Sequence, residues 1–411
     1  MTSVWTTLPL WHLVTESREV VEPSDLGEEV MHYSIPSVDA TGTGQVEKAE
    51  SIKSAKLKLR GGEVLISKLN PRKSRALIVE SSTVPMVSST EFVGLRVRDG
   101  VESRYLLYLL QSEFVRQELD SRVQSVTRSH QRVAPEEITH LQVAVPALEE
   151  QRRIVEFLDA ETMRIGQLLA ARQDVMEKLE ERESALLDLE IDGLLATSAV
   201  APLRRFVWSV DQGASPQCEA VPAGEDEWGV LKVSCLRPGS FFPGENKRLP
   251  SGVDPMVRSE VREGDLLITR ANTPQLVGST AVVPAVRSKL LLSDKIFRVR
   301  LTRGVLPGFV AELARGSRIR ALCAASSNGA SQSMANIRFE EVKAWPVPVV
   351  SIAEQRLVVE RIASKRKVIE VLRRAIDSQR ALLAERRQAL ITAAVTGQFD
   401  VSTASGRGVT E

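Results

Sequence analysis

The sequence predicts an α+β protein built as two mixed α/β globules in tandem, each followed by a long helix, with the two helices paired as a coiled coil. Three observations carry this expectation. Ala147 to Asp192 runs without proline and keeps apolar residues on a seven-residue ladder through Leu158, Ile165, Leu179 and Leu186, broken at Arg172. Ser351 to Val395 keeps the same step through Ile362, Ile369, Ile376, Leu383 and Leu390. Shifting the first stretch by 204 positions lays one on the other, including Glu150-Gln151-Arg152 on Glu354-Gln355-Arg356. A whole-chain duplication follows.

A repeat of seven with two apolar positions is the seam of a coiled coil, because 3.5 residues per turn keeps both positions toward the partner. The second ladder is read through Ile154, Leu168 and Val175 in the first helix, and through Val358 and Leu372 in the second. About 44 helical residues extend roughly 66 Å, too long for an ordinary globular helix. The expected seam is therefore Ile154, Leu158, Ile165, Leu168, Leu179, Leu186, Val358, Ile362, Ile369, Leu372, Ile376, Leu383 and Leu390.

The first globule, 1–146, opens on Leu8-Pro9-Leu10. Its next clear element is Leu57 to Arg60, an alternating strand, followed by the turn Gly61-Gly62 and the apolar strand Val64 to Ser67. Ala76 to Val79 and Phe92 to Val97 read as strands. Ser103 to Leu119 has helical periodicity with Ser103 as its cap, and Leu141 to Val145 is a short apolar run ending at Pro146. The helix spans 147–195, with Gly193 and the small residues Ala196 to Ala201 as a linker. The second globule, 196–350, repeats the order: Ala201-Pro202-Leu203 answers Leu8-Pro9-Leu10, Gly264 to Thr269 answers Gly62 to Ser67, and Glu340-Glu341-Val342 answers Glu136-Glu137-Ile138. Between these anchors the copies scarcely resemble each other. The second helix covers 351–397, and the small polar stretch 398–411 is expected to be a disordered tail.

Composition narrows the function. Of 411 residues 43% are hydrophobic and 26% charged, with a net charge of +1, so any polyanion surface must be a local patch. No run of 18 apolar residues suggests a membrane span. The N-terminus lacks a secretory pattern, and three scattered cysteines (Cys218, Cys235, Cys323) point to a reducing cytoplasm rather than a disulfide framework. Catalytic and metal motifs are missing: no phosphate loop, no H-E-x-x-H among four histidines, no G-x-S-x-G elbow. The expectation is a non-catalytic chain with no metal and no cofactor of its own.

Basic residues gather once in each globule. Lys53 to Arg75 holds eight against Glu63, and Arg287 to Arg303 holds six against Asp294. Solvated loop charge would explain any one of them. A patch in each of two diverged copies fits phosphate contacts, with Arg, Lys, Asn and Gln on loops to read base edges. The DNA-binding candidates are Lys68, Asn70, Arg72, Lys73, Arg75, Arg128, His130, Gln131 and Arg132 in the first globule. In the second they are Arg270, Asn272, Gln275, Lys289, Gln332, Ser333 and Asn336.

The two G-E/D-V/L-L-I-S/T strands, the two proline-bearing runs leading into E-Q-R helices, and the closing ALLAERRQALITAAVTGQFD resemble the specificity (S) subunit of type I restriction–modification systems over nearly the full length. The resemblance implies two target-recognition domains, each reading one half of a split double-stranded DNA target. It also implies helices packed antiparallel that hold the domains apart and dock modification (methyltransferase) subunits. S-adenosylmethionine, ATP and Mg would then be used by those and by separate restriction (translocase/endonuclease) subunits. Diverged copies in a pseudo-two-fold arrangement should read unlike half-sites, with helix length setting the gap. Arg172 corresponds to Ile376 in the aligned frame, and Glu161 to Lys365; opposite charges at equivalent positions are candidates for setting register. The competing reading is a helical scaffold or assembly adaptor without DNA specificity, distinguished by the absence of salt-sensitive DNA affinity.

Overall fold

The computed structural model describes residues 5–123, 131–326 and 334–401. The chain forms two compact units: residues 1–173 with 377–411, and residues 174–376. Both boundaries fall inside long helices, Leu148–Thr197 and Ile352–Val395, so each helix contributes one part to each unit.

In the first unit, Thr6–Pro9 pairs antiparallel with Gln142–Val145, tying the start of the globule to the segment that leads into the long helix. A four-stranded antiparallel sheet follows in the order Val14–Ser17, Phe92–Val97, Val64–Ser67, Ala76–Ile78. Val64, Leu65 and Ile66 are buried because both faces of this sheet are covered. One face meets the helix Ser103–Gln111, through Tyr105, Leu106 and Leu109. The other meets a five-stranded sheet in the order Val20–Val21, Lys56–Leu59, Met86–Ser88, Glu29–Tyr33, Gln45–Lys48, through Leu57, Leu59 and Tyr33. Gly61 and Gly62, at φ 91° and 82°, carry the chain from one sheet to the other; such angles favour glycine. The expected helix Ser103 to Leu119 divides at Ser112, whose hydroxyl caps Glu113–Ser121 by accepting from the Val115 N–H. Ser103 itself lies past the cap position, which Glu102 occupies.

The second unit repeats this frame. Val200–Pro202 pairs with Pro346–Pro348. Its four-stranded sheet runs Val207–Gln212, Ile296–Leu301, Leu266–Thr269, Thr280–Val282, with Pro307–Arg315 packed where Ser103–Gln111 packs in the first unit. The copies part in what lies beyond that sheet. Here it is a three-stranded sheet, Asn246–Arg248, Gly229–Leu231, Leu290–Leu291, and a hairpin Leu236–Arg237/Ser240–Phe241. The three cysteines are free thiols.

The long helices pack antiparallel within each unit. In the second, Glu183 meets Arg373 at 3.1 Å, and Glu190 meets Lys365 at 2.7 Å and Arg361 at 3.1 Å. In the first, Glu161 meets Arg386 at 3.8 Å. Ile154, Leu158, Ile165, Val358, Ile362, Ile369 and Ile376 are buried, and Leu179, Leu186, Leu383 and Leu390 partly so.

Beyond Ile154 and Val358, the second ladder is displaced by one residue from expectation. Leu168 and Leu372 are exposed (42% and 46%), as is Val175. The inward positions are instead Thr162, Leu169, Met176, Glu183 and Glu190 on one helix and Arg366, Arg373 and Arg380 on the other. Charged residues hold seam positions because they meet each other and the globule: Glu183 also meets Arg315 at 2.8 Å, and Arg366 meets Glu312 at 3.7 Å. Glu161 and Lys365 each find a partner within their own unit. The Arg172 Nε is buried without a hydrogen-bond partner.

Two boundaries also move. The first helix runs through Gly193 to Thr197, reducing the linker to Ser198 and Ala199. Phe399 packs against Phe157 with ring centroids 5.4 Å apart, and Val401 is buried in the first core, so the described part of the expected tail belongs to the first unit.

Candidate nucleic-acid interface

The glutamine of each E-Q-R opening fixes globule to helix. Gln151 is buried; its Oε1 accepts from the Glu102 N–H at 2.9 Å, and its Nε2 donates to the carbonyls of Gly100 (3.3 Å) and Pro146 (3.0 Å). Gln355 repeats this with the Leu306 N–H (2.8 Å), Gly304 (3.1 Å) and Val350 (3.0 Å). One amide, a donor at one end and an acceptor at the other, thus satisfies three backbone groups from two segments. Its neighbours Arg152 and Arg356 stay exposed.

On each globule the frame brings the two expected groups of DNA candidates together. After strand Val64–Ser67 the chain turns through Asn70 (φ 51°) and Ser74 (φ 45°), around Pro71–Lys73. This loop is stitched to the segment preceding the short helix Pro135–Thr139. Leu69 bridges Arg132, the Asn70 N–H donates to the Gln131 carbonyl at 2.7 Å, and the Val133 N–H donates to the Lys68 carbonyl at 3.1 Å. In the second globule Ala271 pairs with Asn336 and Asn272 with Ala335, while the Ile337 N–H donates to the Arg270 carbonyl at 2.9 Å. The same junction is built twice from different residues. Arg128, His130, Gln332 and Ser333 lie outside the described residues.

The basic patches are smaller than their composition suggests. Arg75 is consumed by Asp39, with two bonds at 2.5 and 2.8 Å, and by the Leu69 carbonyl; its guanidinium holds the Asp39 carboxyl below the usual carboxylate range. Lys73 meets Asp39 at 3.7 Å, and Arg132 meets Glu91 through two bonds. Lys58 and Arg60 both meet Glu19, and Lys56 is buried. At the loop itself Arg72 is exposed and Lys68 partly so.

In the second globule Arg298, 3% exposed, lies among Asp211, Asp265 and the carbonyls of Glu260 and Arg258. Its role is structural. Arg287 ties down the carbonyls of Ala223, Glu225, Glu227 and Ser288. Lys289 does not join the junction: it sits beside the three-stranded sheet, and its ammonium donates to the Asp226 carbonyl at 2.8 Å. Asn272 is nearly buried, its Oδ1 accepting from the Thr273 N–H at 2.8 Å. Arg270 remains exposed at the junction, donating weakly to the Asp294 carbonyl at 3.4 Å, while Gln275 is exposed on the turn that follows.

In the sequence the glutamine anchors show only as two glutamines at identical offsets after a proline-bearing run. The acidic partners of the basic residues lie tens of residues away, so a local count of charge does not reveal them. Among the described residues no His/Cys/Asp/Glu cluster could hold a metal, and no helix is long and apolar enough to cross a membrane.

No family model matches the chain. It is 33% identical over 192 residues to the EcoEI type I restriction enzyme specificity subunit of Escherichia coli, covering 46% of this chain and 32% of that protein. It is 21% identical over 323 residues to the EcoKI specificity subunit of Escherichia coli strain K12, covering 74% and 67% respectively. The chain thus spans about a third and about two thirds of these relatives' own lengths. A chain from a solved structure of a type I R-M system, concerned with complex assembly and conformational transition, superposes with a TM-score of 0.71 at 18% identity, over 96% of this chain and 98% of that one. In sequence the chain is similar to type I restriction enzyme specificity subunits, and in fold to a chain of a type I R-M system.

Proposed function

We propose that this chain is the DNA-recognition subunit of a type I restriction–modification complex, reading a bipartite, asymmetric target through its two globules. The observation that carries the reading is the duplicated junction: one backbone frame, built twice, presents unlike side chains. Lys68, Arg72 and Gln131 stand on the first copy, and Arg270, Gln275 and Asn336 on the second. A symmetric pair would read a palindrome; unlike faces read unlike half-sites.

The exposed apolar residues of the long helices, Leu168 and Val175 on one and Leu357, Val368 and Leu372 on the other, serve as docks for methyltransferase subunits. Those subunits supply S-adenosylmethionine chemistry, and restriction subunits supply ATP- and Mg-dependent translocation and cleavage. Methylation mapping in cells with and without this chain tests the reading. A split adenine-methylation motif that disappears with the chain supports it; an unchanged methylation map refutes it.

A further inference from the structure

Beyond the junction of the second globule lies an open cleft of about 400 Å³, lined by Ser215, Lys232, Lys247, Ser293, Asp294 and Lys295 among others. It adjoins the junction directly, since the Arg270 N–H donates to the Lys295 carbonyl at 2.8 Å. Lys232 is held by Glu245 at 2.8 Å. Lys247 and Lys295 have no acidic partner among the described residues. Asp294, the one carboxylate in the lining, accepts from the Ser215 hydroxyl. Ser293 is 5% exposed, and its hydroxyl has no hydrogen-bond partner. A buried hydroxyl left unpaired carries a desolvation cost that a ligand oxygen would relieve.

The first globule answers this turn differently. Phe92 pairs with Ser67 as Ile296 pairs with Thr269, so Glu91 occupies the place of Lys295. Glu91 is taken up by Arg132, whereas Lys295 is unpaired.

We infer that the cleft seats the sugar–phosphate backbone of the second half-site, with Lys247 and Lys295 as phosphate contacts and the Ser293 hydroxyl bonding a phosphate oxygen. The inference rests on the DNA-recognition reading. Lysine suits this role as a point charge, and such contacts fix register without reading sequence.

The test uses the full chain assembled with its methyltransferase partner, a duplex carrying the mapped target, and a scrambled duplex. Affinity is measured across a salt series for the wild type, the Lys247→Gln/Lys295→Gln double variant, Ser293→Ala and Lys289→Gln. The double variant should flatten the slope of log affinity against log salt by about 1.8, the value for two B-DNA phosphates. It should weaken both duplexes alike and leave the methylated motif unchanged. Ser293→Ala should weaken binding roughly 2- to 10-fold without altering the slope. Lys289→Gln should leave the slope as it is. A wild-type slope in the double variant, or an equal flattening in Lys289→Gln, overturns the cleft assignment while the recognition reading stands. Failure of the wild-type assembly to bind either duplex overturns both.

Discussion

Replacing Gln355 by alanine should loosen the second globule from its helix and leave the first intact. The change removes the acceptor of the Leu306 N–H and the donor to the Gly304 and Val350 carbonyls, bonds of 2.8, 3.1 and 3.0 Å. At about 1 kcal/mol of net stability per bond the loss is roughly 3 kcal/mol, an increase on the order of 100-fold in local opening. Gln355→Glu is the sharper variant. It keeps the shape and the acceptor but sets a carboxylate oxygen against two carbonyls in a buried site, so it should cost at least as much as alanine. Hydrogen exchange read by mass spectrometry separates the outcomes. Faster exchange is expected at the start of Pro307–Arg315 and unchanged exchange across Ser103–Gln111, with Gln151→Ala giving the converse. A Gln355→Glu protein protected like the wild type would refute the anchor argument.

The displaced seam gives a paired test: Ile165→Ala should cost roughly 2–5 kcal/mol, whereas Leu168→Lys should stay within about 0.5 kcal/mol, both read by urea unfolding. Asp39 contributes stability fully present above the ordinary carboxylate value and lost as pH falls through its depressed one, so Asp39→Asn should lower stability at neutral pH and flatten its decline in acid, as followed by thermal unfolding across pH. Because the helices pair with each other, a heptad deletion must be made in both; removing about 10.5 Å of helix should shorten the gap of the methylated motif by about three base pairs at 3.4 Å each with both half-sites unchanged. Altered half-sites with the original gap would defeat the idea that helix length sets the spacing.

The sequence by itself determined the duplication, the two long helices and one of their two apolar ladders. Each is written locally: a step of seven, a repeated Glu-Gln-Arg, a repeated glycine–acid–apolar strand. The second ladder was hidden because its inward positions include Glu183, Glu190, Arg366 and Arg373, whose charges are tolerated where they meet each other or the globule. Leu168 and Leu372, beside inward positions, drew the apolar pattern one residue off. The candidate interface divided the same way. The two groups of candidates, one after each repeated strand and one before each Glu-Glu anchor, were legible in the sequence, whereas the fold decided that Leu69 meets Arg132 and Ala271 pairs with Asn336. Which basic side chains remain exposed was decided only by the tertiary structure. Asp39 and Asp211 stand 36 and 87 residues from the arginines they neutralise. A charge is available to DNA according to what the fold sets beside it, and that neighbour lies far away in the sequence.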